Sequence, residues 1–277
     1  MRFIYFSLLL CILFVGCGNS SQQKDPIPVH DSFTIDSKKV GEIRTINVWT
    51  PSEYKKSTDS LPVMYMADGG LKEDFPHIAN TLAKLIKEKK IEPIILVGIE
   101  NTQRRRDLTG PTEVEKDKEI APLVGESENF RAFINDELFP EIDKRYRTSK
   151  KKGILGESLS GLFVMETLFL KPEMFDYYIA FDPSLWWNNH YLVRTAKEKL
   201  NNMPASLKKL WFAGSSATDI SQYTNELSKI LKDKNLKTLN WTYSDEPKEE
   251  HSTIFRATKE KALIWALGKN EKNQLTK

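Results

Sequence analysis

Cysteine is almost absent from this chain of 277 residues. It has two cysteines, Cys11 and Cys17, and both lie in the first 17 residues. Residues 18–277 can therefore form neither a disulfide nor a thiolate metal site. A chain of this length can bury a hydrophobic core large enough to be stable without such cross-links.

A strong excess of charge is absent too. The chain has 41 basic and 38 acidic residues, a formal net charge of +3. This near balance gives no electrostatic reason to expect a nucleic acid partner. Histidine is also rare, which leaves few candidates for a general base. The four histidines are His30, His77, His190 and His251.

No apolar run is long enough to span a membrane as a helix. The N-terminal run in "MRFIYFSLLLCILFVGC" follows one positive charge and ends in small residues, which predicts an export signal over 1–17. Its end, "FVGC", resembles the lipobox of bacterial lipoproteins, with Phe14 where Leu is usual. The resemblance implies lipidation of Cys17 and an exported protein of the cell envelope. A plain signal peptide and an uncleaved anchor are the alternatives.

The region after this signal predicts a flexible tether over 18–30 and one domain over 31–270. Continuous apolar runs such as "LPVMYMADGG" and "EPIILVGIE" are typical of strands buried on both faces, and they alternate with longer amphipathic runs. This alternation predicts an α/β fold with a mostly parallel central sheet and helices on both faces. The first strands follow one another without helices, so we expect an antiparallel first edge.

A serine at a predicted strand-to-helix corner is the leading candidate for a nucleophile. The stretch "GILGESLSGLF" places Ser158 after a short apolar strand and before an apolar helix. Gly156 and Ser158 match the start of the G-x-S-x-G nucleophile elbow, Ser160 replaces its last Gly, and Gly161 follows. A helix-capping serine is the alternative.

A serine hydroxyl becomes a good nucleophile when a base removes its proton. His251 lies in a late loop, after the last predicted strand, as expected for the base of an α/β-hydrolase. We expect the acid after the strand "LWFAGS", where Asp219 is the nearest carboxylate. Glu226 is the second choice, and a carboxylate close to His251 in the chain (Asp245, Glu249 or Glu250) or a dyad without an acid is also compatible with the sequence.

Acyl chemistry also requires hydrogen-bond donors for the oxyanion. We expect one at the backbone N–H of Leu159 and another in the loop "ADGG", at Gly69 or Gly70. Two further motifs suit substrate binding. Trp186 and Trp187 suit a flat or apolar group, and the Arg104–Arg106 run, with Arg105 at its centre, suits an anionic one. Core packing by the tryptophans and structural ion pairs of the arginines are the alternatives.

Together, "ILVGIENTQRRRDLT", "ILGESLSGLFVMETLFLKPEMFDYYIAFDPSLWW" and "EHSTIF" resemble the putative esterase family of α/β-hydrolases. This family includes enterochelin esterases, S-formylglutathione hydrolase relatives, and feruloyl and acetylxylan esterases. The resemblance runs over about residues 32–268. It implies Ser158 as nucleophile, His251 as base, and an oxyanion hole formed by Leu159 and the loop at residue 69.

We therefore expect a lipid-anchored serine esterase that acts on a small-molecule ester through an acyl-enzyme, with no cofactor and no metal. A siderophore, aryl or acetylated-glycan ester would suit the family. Two alternatives stay open. The first is a catalytically weak protein of the same fold that binds a siderophore or glycan, and the second is acyl transfer to an alcohol.

Overall fold

The computed structural model describes residues 25–120 and 123–268. The predicted signal peptide, Cys17 and residues 18–24 of the predicted tether lie outside this range. Eight strands form one sheet: β1 (Asp31–Ser37), β2 (Glu42–Trp49), β3 (Leu61–Met66), β4 (Ile95–Ile99), β5 (Thr148–Glu157), β6 (Tyr177–Phe181), β7 (Lys208–Gly214) and β8 (Leu239–Asp245).

Ten α-helices of the described region connect or follow these strands. They are α1 (Phe75–Lys87), α2 (Arg104–Leu108), α3 (Glu115–Ile120), α4 (Ser127–Phe133), α5 (Phe139–Arg145), α6 (Leu159–Leu170), α7 (Trp187–Arg194), α8 (Ala196–Lys199), α9 (Thr218–Lys234) and α10 (Ile254–Leu267). Among the described residues, no helix combines the length and the apolar character that crossing a membrane would require.

The sheet has the strand order β1-β2-β4-β3-β5-β6-β7-β8. The pairs β1–β2 and β2–β4 are antiparallel, and every later pair is parallel. The predicted α/β fold and the antiparallel first edge are both confirmed. Because β3 and β5 to β8 are parallel, their carboxyl ends meet at one edge of the sheet, where ligands bind in such folds.

Both faces of the sheet are covered, as the continuous apolar strands predict. Successive residues of a strand point to opposite faces. In β6, Tyr178 and Ala180 belong to the core cluster that contains α6 and α9. Ile179 and Phe181 belong to the other cluster, with α1 and α10. Each fully buried large apolar side chain, such as that of Ile179 or Phe181, contributes about 1.5–3 kcal/mol to stability. Burial on both faces therefore holds β6 firmly in the sheet.

The helical segment before β5 is interrupted close to Pro140. A π-helical turn, Ile134–Leu138, separates α4 from α5, and Pro140 lies in the first turn of α5. Proline has no N–H to donate, and its ring would clash with the carbonyl four residues earlier in a regular helix. The wider turn avoids this clash and leaves Phe133, Ile134 and Leu138 buried.

The end of the predicted tether packs against the domain. Asp25 pairs with Arg256 of α10 at 2.7 Å, and Asn80 of α1 donates to the carbonyl of Pro26 at 2.7 Å. The ring of His30 lies edge-on to Phe75, with 5.9 Å between the centroids. Among the described residues, contacts with the domain are therefore already made by 25–30, before the predicted boundary at residue 31.

Candidate active site

Ser158 lies between β5 and α6 in a strained backbone conformation, with φ 59° and ψ −119°. Such a conformation of a residue other than glycine costs about 1–3 kcal/mol and persists only where its surroundings enforce it. Its N–H donates to the carbonyl of Phe181 at 3.0 Å, and its carbonyl accepts from the N–H groups of Leu162 (2.9 Å) and Ser184 (3.1 Å). These bonds fix the corner, and they hold the half-buried Ser158 at the carboxyl edge of the sheet.

Small residues around Ser158 meet a steric requirement of this corner. A Cβ atom on Gly156 would overlap Ser160 Oγ, and one on Gly161 would lie 3.0 Å from the carbonyl oxygen of Phe181. Ser160, which replaces the last glycine of the motif, is buried, and its Oγ has no hydrogen-bond partner in the described region. The extra hydroxyl therefore fills the space beside Gly156.

The structure brings Ser158 and His251 together, although 93 residues separate them in the chain. His251 Nε2 lies 3.1 Å from Ser158 Oγ, which is hydrogen-bonding distance. His251 belongs to the loop between β8 and α10, and its side chain is 42% exposed. A substrate can therefore reach the imidazole and the hydroxyl from solvent.

The other imidazole nitrogen contacts a carboxylate. His251 Nδ1 lies 2.6 Å from Oδ2 of Asp182, which directly follows β6 and is fully buried. Ser215 holds this carboxylate from the end of β7, because its N–H donates to Oδ1 and its hydroxyl donates to Oδ2, each at 2.7 Å. The N–H of Asp182 donates to the carbonyl of Ala213. The ends of three adjacent strands thus carry Ser158, Asp182 and Ser215.

This geometry corrects the expectation for the acid. Asp219 is exposed in the first turn of α9, and Glu226 is exposed further along the same helix. The carboxylate that contacts His251 Nδ1 is instead that of Asp182, in the segment after β6. One signal was present in the sequence, since Asp182 ends the apolar run "DYYIAFD", but an acid was expected only after the following strand.

The charges around His251 favour its protonated form. The hydrogen bond with Asp182 raises the pKa of His251, partial burial opposes this, and the negative charges of Asp182, Glu157 and Asp219 raise it further. Burial and the negative charge of Asp74 raise the pKa of Glu157, the residue before the serine, to about 7, while His251 lowers it. The two side chains therefore titrate under each other's influence.

Neither of the two N–H groups expected in the loop after β3 is available as it stands. The N–H of Gly69 donates to the carbonyl of Ile99 at 2.9 Å, and the N–H of Gly70 donates to Oε2 of Glu73 at 2.7 Å. Leu159 is the first residue of α6, and the first N–H groups of a helix have no acceptor within the helix. The expected oxyanion hole is thus partly occupied by the protein's own groups.

The arginine run forms mainly structural ion pairs. Arg104 contacts both carboxylate oxygens of Asp68, at 2.5 and 2.9 Å. Arg106 pairs with Glu42 and Asp107, at 2.6 and 2.8 Å. The central residue, Arg105, is exposed on α2.

The two tryptophans differ in their environment. Trp187 is buried, and its Nε1 donates to the carbonyl of Gly110 at 2.9 Å. It lines a cavity of about 380 Å³ together with Leu162 and Glu166 of α6, and neither Ser158 nor His251 lines this cavity. Trp186 is half-buried against the core. The packing alternative therefore applies to Trp187, and Trp186 keeps an exposed part.

Comparison with known proteins identifies the family of this chain. The family model described as "Putative esterase" matches residues 37–264. The chain belongs to the putative esterase family. It is accordingly an ester hydrolase with an α/β-hydrolase fold, as the sequence motifs imply.

Several relatives of this esterase are named for the siderophore esters they cleave. It is 31% identical over 212 residues to the ferri-bacillibactin esterase BesA of Bacillus subtilis, an alignment that covers 64% of this chain and 70% of the relative. It is 28% identical over 277 residues to the apo-salmochelin esterase of Escherichia coli, covering 91% and 84%. The crystal structure of an IroE-like serine hydrolase from Shewanella oneidensis superposes with a TM-score of 0.77 and 25% identity, covering 86% of this chain and 79% of the other.

Proposed function

We propose that this protein hydrolyses a siderophore ester through an acyl-enzyme on Ser158. The observation that carries the proposal is the continuous chain of contacts from Ser158 Oγ through His251 to the buried carboxylate of Asp182. A carboxylate can only accept hydrogen bonds, so Asp182 favours the tautomer with a proton on Nδ1. That tautomer leaves His251 Nε2 free to accept the proton of the serine hydroxyl.

Each step of the reaction then has a group to perform it. Ser158 Oγ attacks the ester carbonyl while His251 Nε2 takes its proton. The C–O bond to the alcohol breaks as the imidazolium returns that proton to the leaving oxygen. Water, deprotonated in turn by His251, attacks the acyl-enzyme and releases the acid. Asp182 orients the imidazole and stabilises its positive charge throughout.

The siderophore as substrate is inferred from the names of the relatives, which cleave ferri-bacillibactin and salmochelin esters. The exposed part of Trp186 suits contact with a flat aryl group of such a molecule. Arg104 and Arg106 are committed to carboxylates of the protein, so the proposal gives these two side chains no part in recognising an anionic substrate.

The proposed location is the cell envelope, with a lipid on Cys17 as the anchor. It rests on the sequence "FVGC" and the apolar run before it. Metabolic labelling with an alkyne-modified fatty acid tests it directly. We expect label on the wild-type chain and none on Cys17→Ser, and equal labelling of the two chains would contradict the anchor.

Active-site labelling with a fluorophosphonate tests the nucleophile. We expect stoichiometric labelling of the wild type and of Ser160→Ala, and no labelling of Ser158→Ala. Hydrolysis of catecholate, hydroxamate, aryl and acetyl esters by the same three proteins then identifies the substrate class. Tight siderophore binding without labelling would instead favour a binding protein, and ester products formed with added alcohols would favour acyl transfer.

A further inference from the structure

The loop after β3 holds a carboxylate on one of the two N–H groups expected to bind the oxyanion. Residues 70–73 form a turn in which the N–H of Glu73 donates to the carbonyl of Gly70 at 3.0 Å. The side chain of Glu73 folds back, so that Oε2 accepts from the N–H of Gly70 at 2.7 Å. Its other oxygen accepts from Asn101 Nδ2 at 3.0 Å.

This contact reproduces the interaction that catalysis needs. Oxyanion-hole donors lie 2.7–3.1 Å from a negatively charged oxygen. The Glu73 carboxylate therefore makes the hydrogen bond that an oxyanion would make at Gly70, one of the donors that the sequence predicts. While it remains there, that N–H cannot donate its hydrogen bond fully to a substrate.

The other loop donor cannot replace Gly70. The N–H of Gly69 donates to the carbonyl of Ile99, and its carbonyl accepts from Asn47 Nδ2 at 3.0 Å. A Cβ atom at residue 69 would overlap the backbone of Gly98, so Gly69 lies flat against β4. Freeing its N–H would require the backbone to leave the sheet, whereas freeing that of Gly70 requires one side chain to rotate.

The surroundings of Glu73 allow its carboxylate to leave the N–H of Gly70. Burial raises the pKa of Glu73, and the negative charge of Asp68 raises it further, while the hydrogen bonds from Gly70 and Asn101 lower it. Arg104 pairs with the Asp68 carboxylate through two contacts. The Glu73 carboxylate thus gains two hydrogen bonds in its present position and gains water if it rotates outwards.

We propose that Glu73 is a resident competitor for the oxyanion site, and that acylation of Ser158 requires its carboxylate to leave the N–H of Gly70. This inference rests on the proposed function. It makes Glu73 a residue that sets the rate of acylation without taking part in the chemistry. A substrate carbonyl must displace the Glu73 carboxylate, and this requirement lowers the reactivity of the substrate-free enzyme towards small esters.

The test compares Glu73→Ala, Glu73→Gln and the surface control Glu53→Ala. We measure the second-order rate of fluorophosphonate labelling, kcat/KM for p-nitrophenyl acetate and the affinity for phenylboronic acid, which mimics the tetrahedral intermediate. For Glu73→Ala we expect all three to increase about tenfold, the factor that corresponds to 1.4 kcal/mol. Glu73→Gln should lie between this variant and the wild type, because a neutral acceptor holds the N–H less strongly. Glu53→Ala should match the wild type.

A purely structural role predicts the opposite pattern. In that case Glu73→Ala lowers the labelling rate and the melting temperature, and Glu73→Gln restores both. This result, or unchanged labelling in both variants, overturns the inference. A proposed function that is itself wrong would appear differently, as absence of Ser158-dependent labelling in the wild type and in every Glu73 variant.

Discussion

Replacing Asp182 by Asn tests the acid that the structure assigns against the one the sequence suggested. The carboxylate accepts three hydrogen bonds, two from Ser215 and one from His251 Nδ1. An amide can accept at only one end. If its nitrogen faces the N–H of Ser215, two donors oppose each other. If it faces His251, it donates to Nδ1 and forces the proton onto Nε2, so that the imidazole cannot accept the proton of Ser158.

The expected loss follows from this wrong tautomer. Removing the acid's charge from a Ser-His-Asp triad in this way lowers kcat by about 10⁴-fold, or roughly 5.4 kcal/mol in the activation free energy. Asp219 gives the matched control. Its exposed side chain acts on His251 only through a solvent-screened charge, so Asp219→Asn should change kcat less than about twofold.

Steady-state hydrolysis of p-nitrophenyl acetate, with the melting temperature measured in parallel, is the assay. Opposed donors at Ser215 cost about 1–3 kcal/mol of stability, so kcat is measured well below the melting temperature of Asp182→Asn. Comparable kcat values for Asp182→Asn and wild type would refute the assignment of Asp182. A large loss in Asp219→Asn with little loss in Asp182→Asn would return the role to α9.

Two further variants probe the neighbours of the nucleophile. Glu157→Gln removes a negative charge that raises the pKa of His251, so the acid limb of the pH–kcat/KM profile should move to lower pH; movement to higher pH would contradict this sign. The pKa of Glu157 rises on folding from 4.5 to about 7. As pH rises between these values, the free energy of unfolding of the wild type should therefore fall relative to that of Glu157→Gln, by about 1.4 kcal/mol per pH unit at most. Urea unfolding at several pH values measures this difference. Gly156→Ala should abolish labelling of Ser158 and lower the melting temperature, because its Cβ would overlap Ser160, and normal labelling would show that the elbow relaxes.

The sequence alone was enough to predict the fold. Strands such as Tyr177–Phe181 are apolar at every position because both faces are covered, and that pattern is local. The nucleophile and base also carry local signals, since Gly156 and Ser158 mark a tight corner and His251 follows the last strand.

The position of Asp182 at the end of an apolar run is a local signal, but its contact with His251 and the state of the oxyanion donor depend on the whole fold. Asp182 reaches His251 because β6 lies between β5 and β7 in the sheet, and strand order is a property of the whole fold. The state of the Gly70 N–H depends on the rotamer of Glu73. The indole N–H of the buried Trp187 finds its acceptor in the carbonyl of Gly110, 77 residues earlier in the chain.

Because the acid follows β6, the segment between Ser215 and His251 carries none of the three side chains that meet at the site, Ser158, Asp182 and His251. The start of α9 can therefore lengthen, shorten or change its charge while the distances among those side chains stay the same. Variation in this segment can thus change the charge that Asp219 places near His251 without rebuilding the catalytic centre.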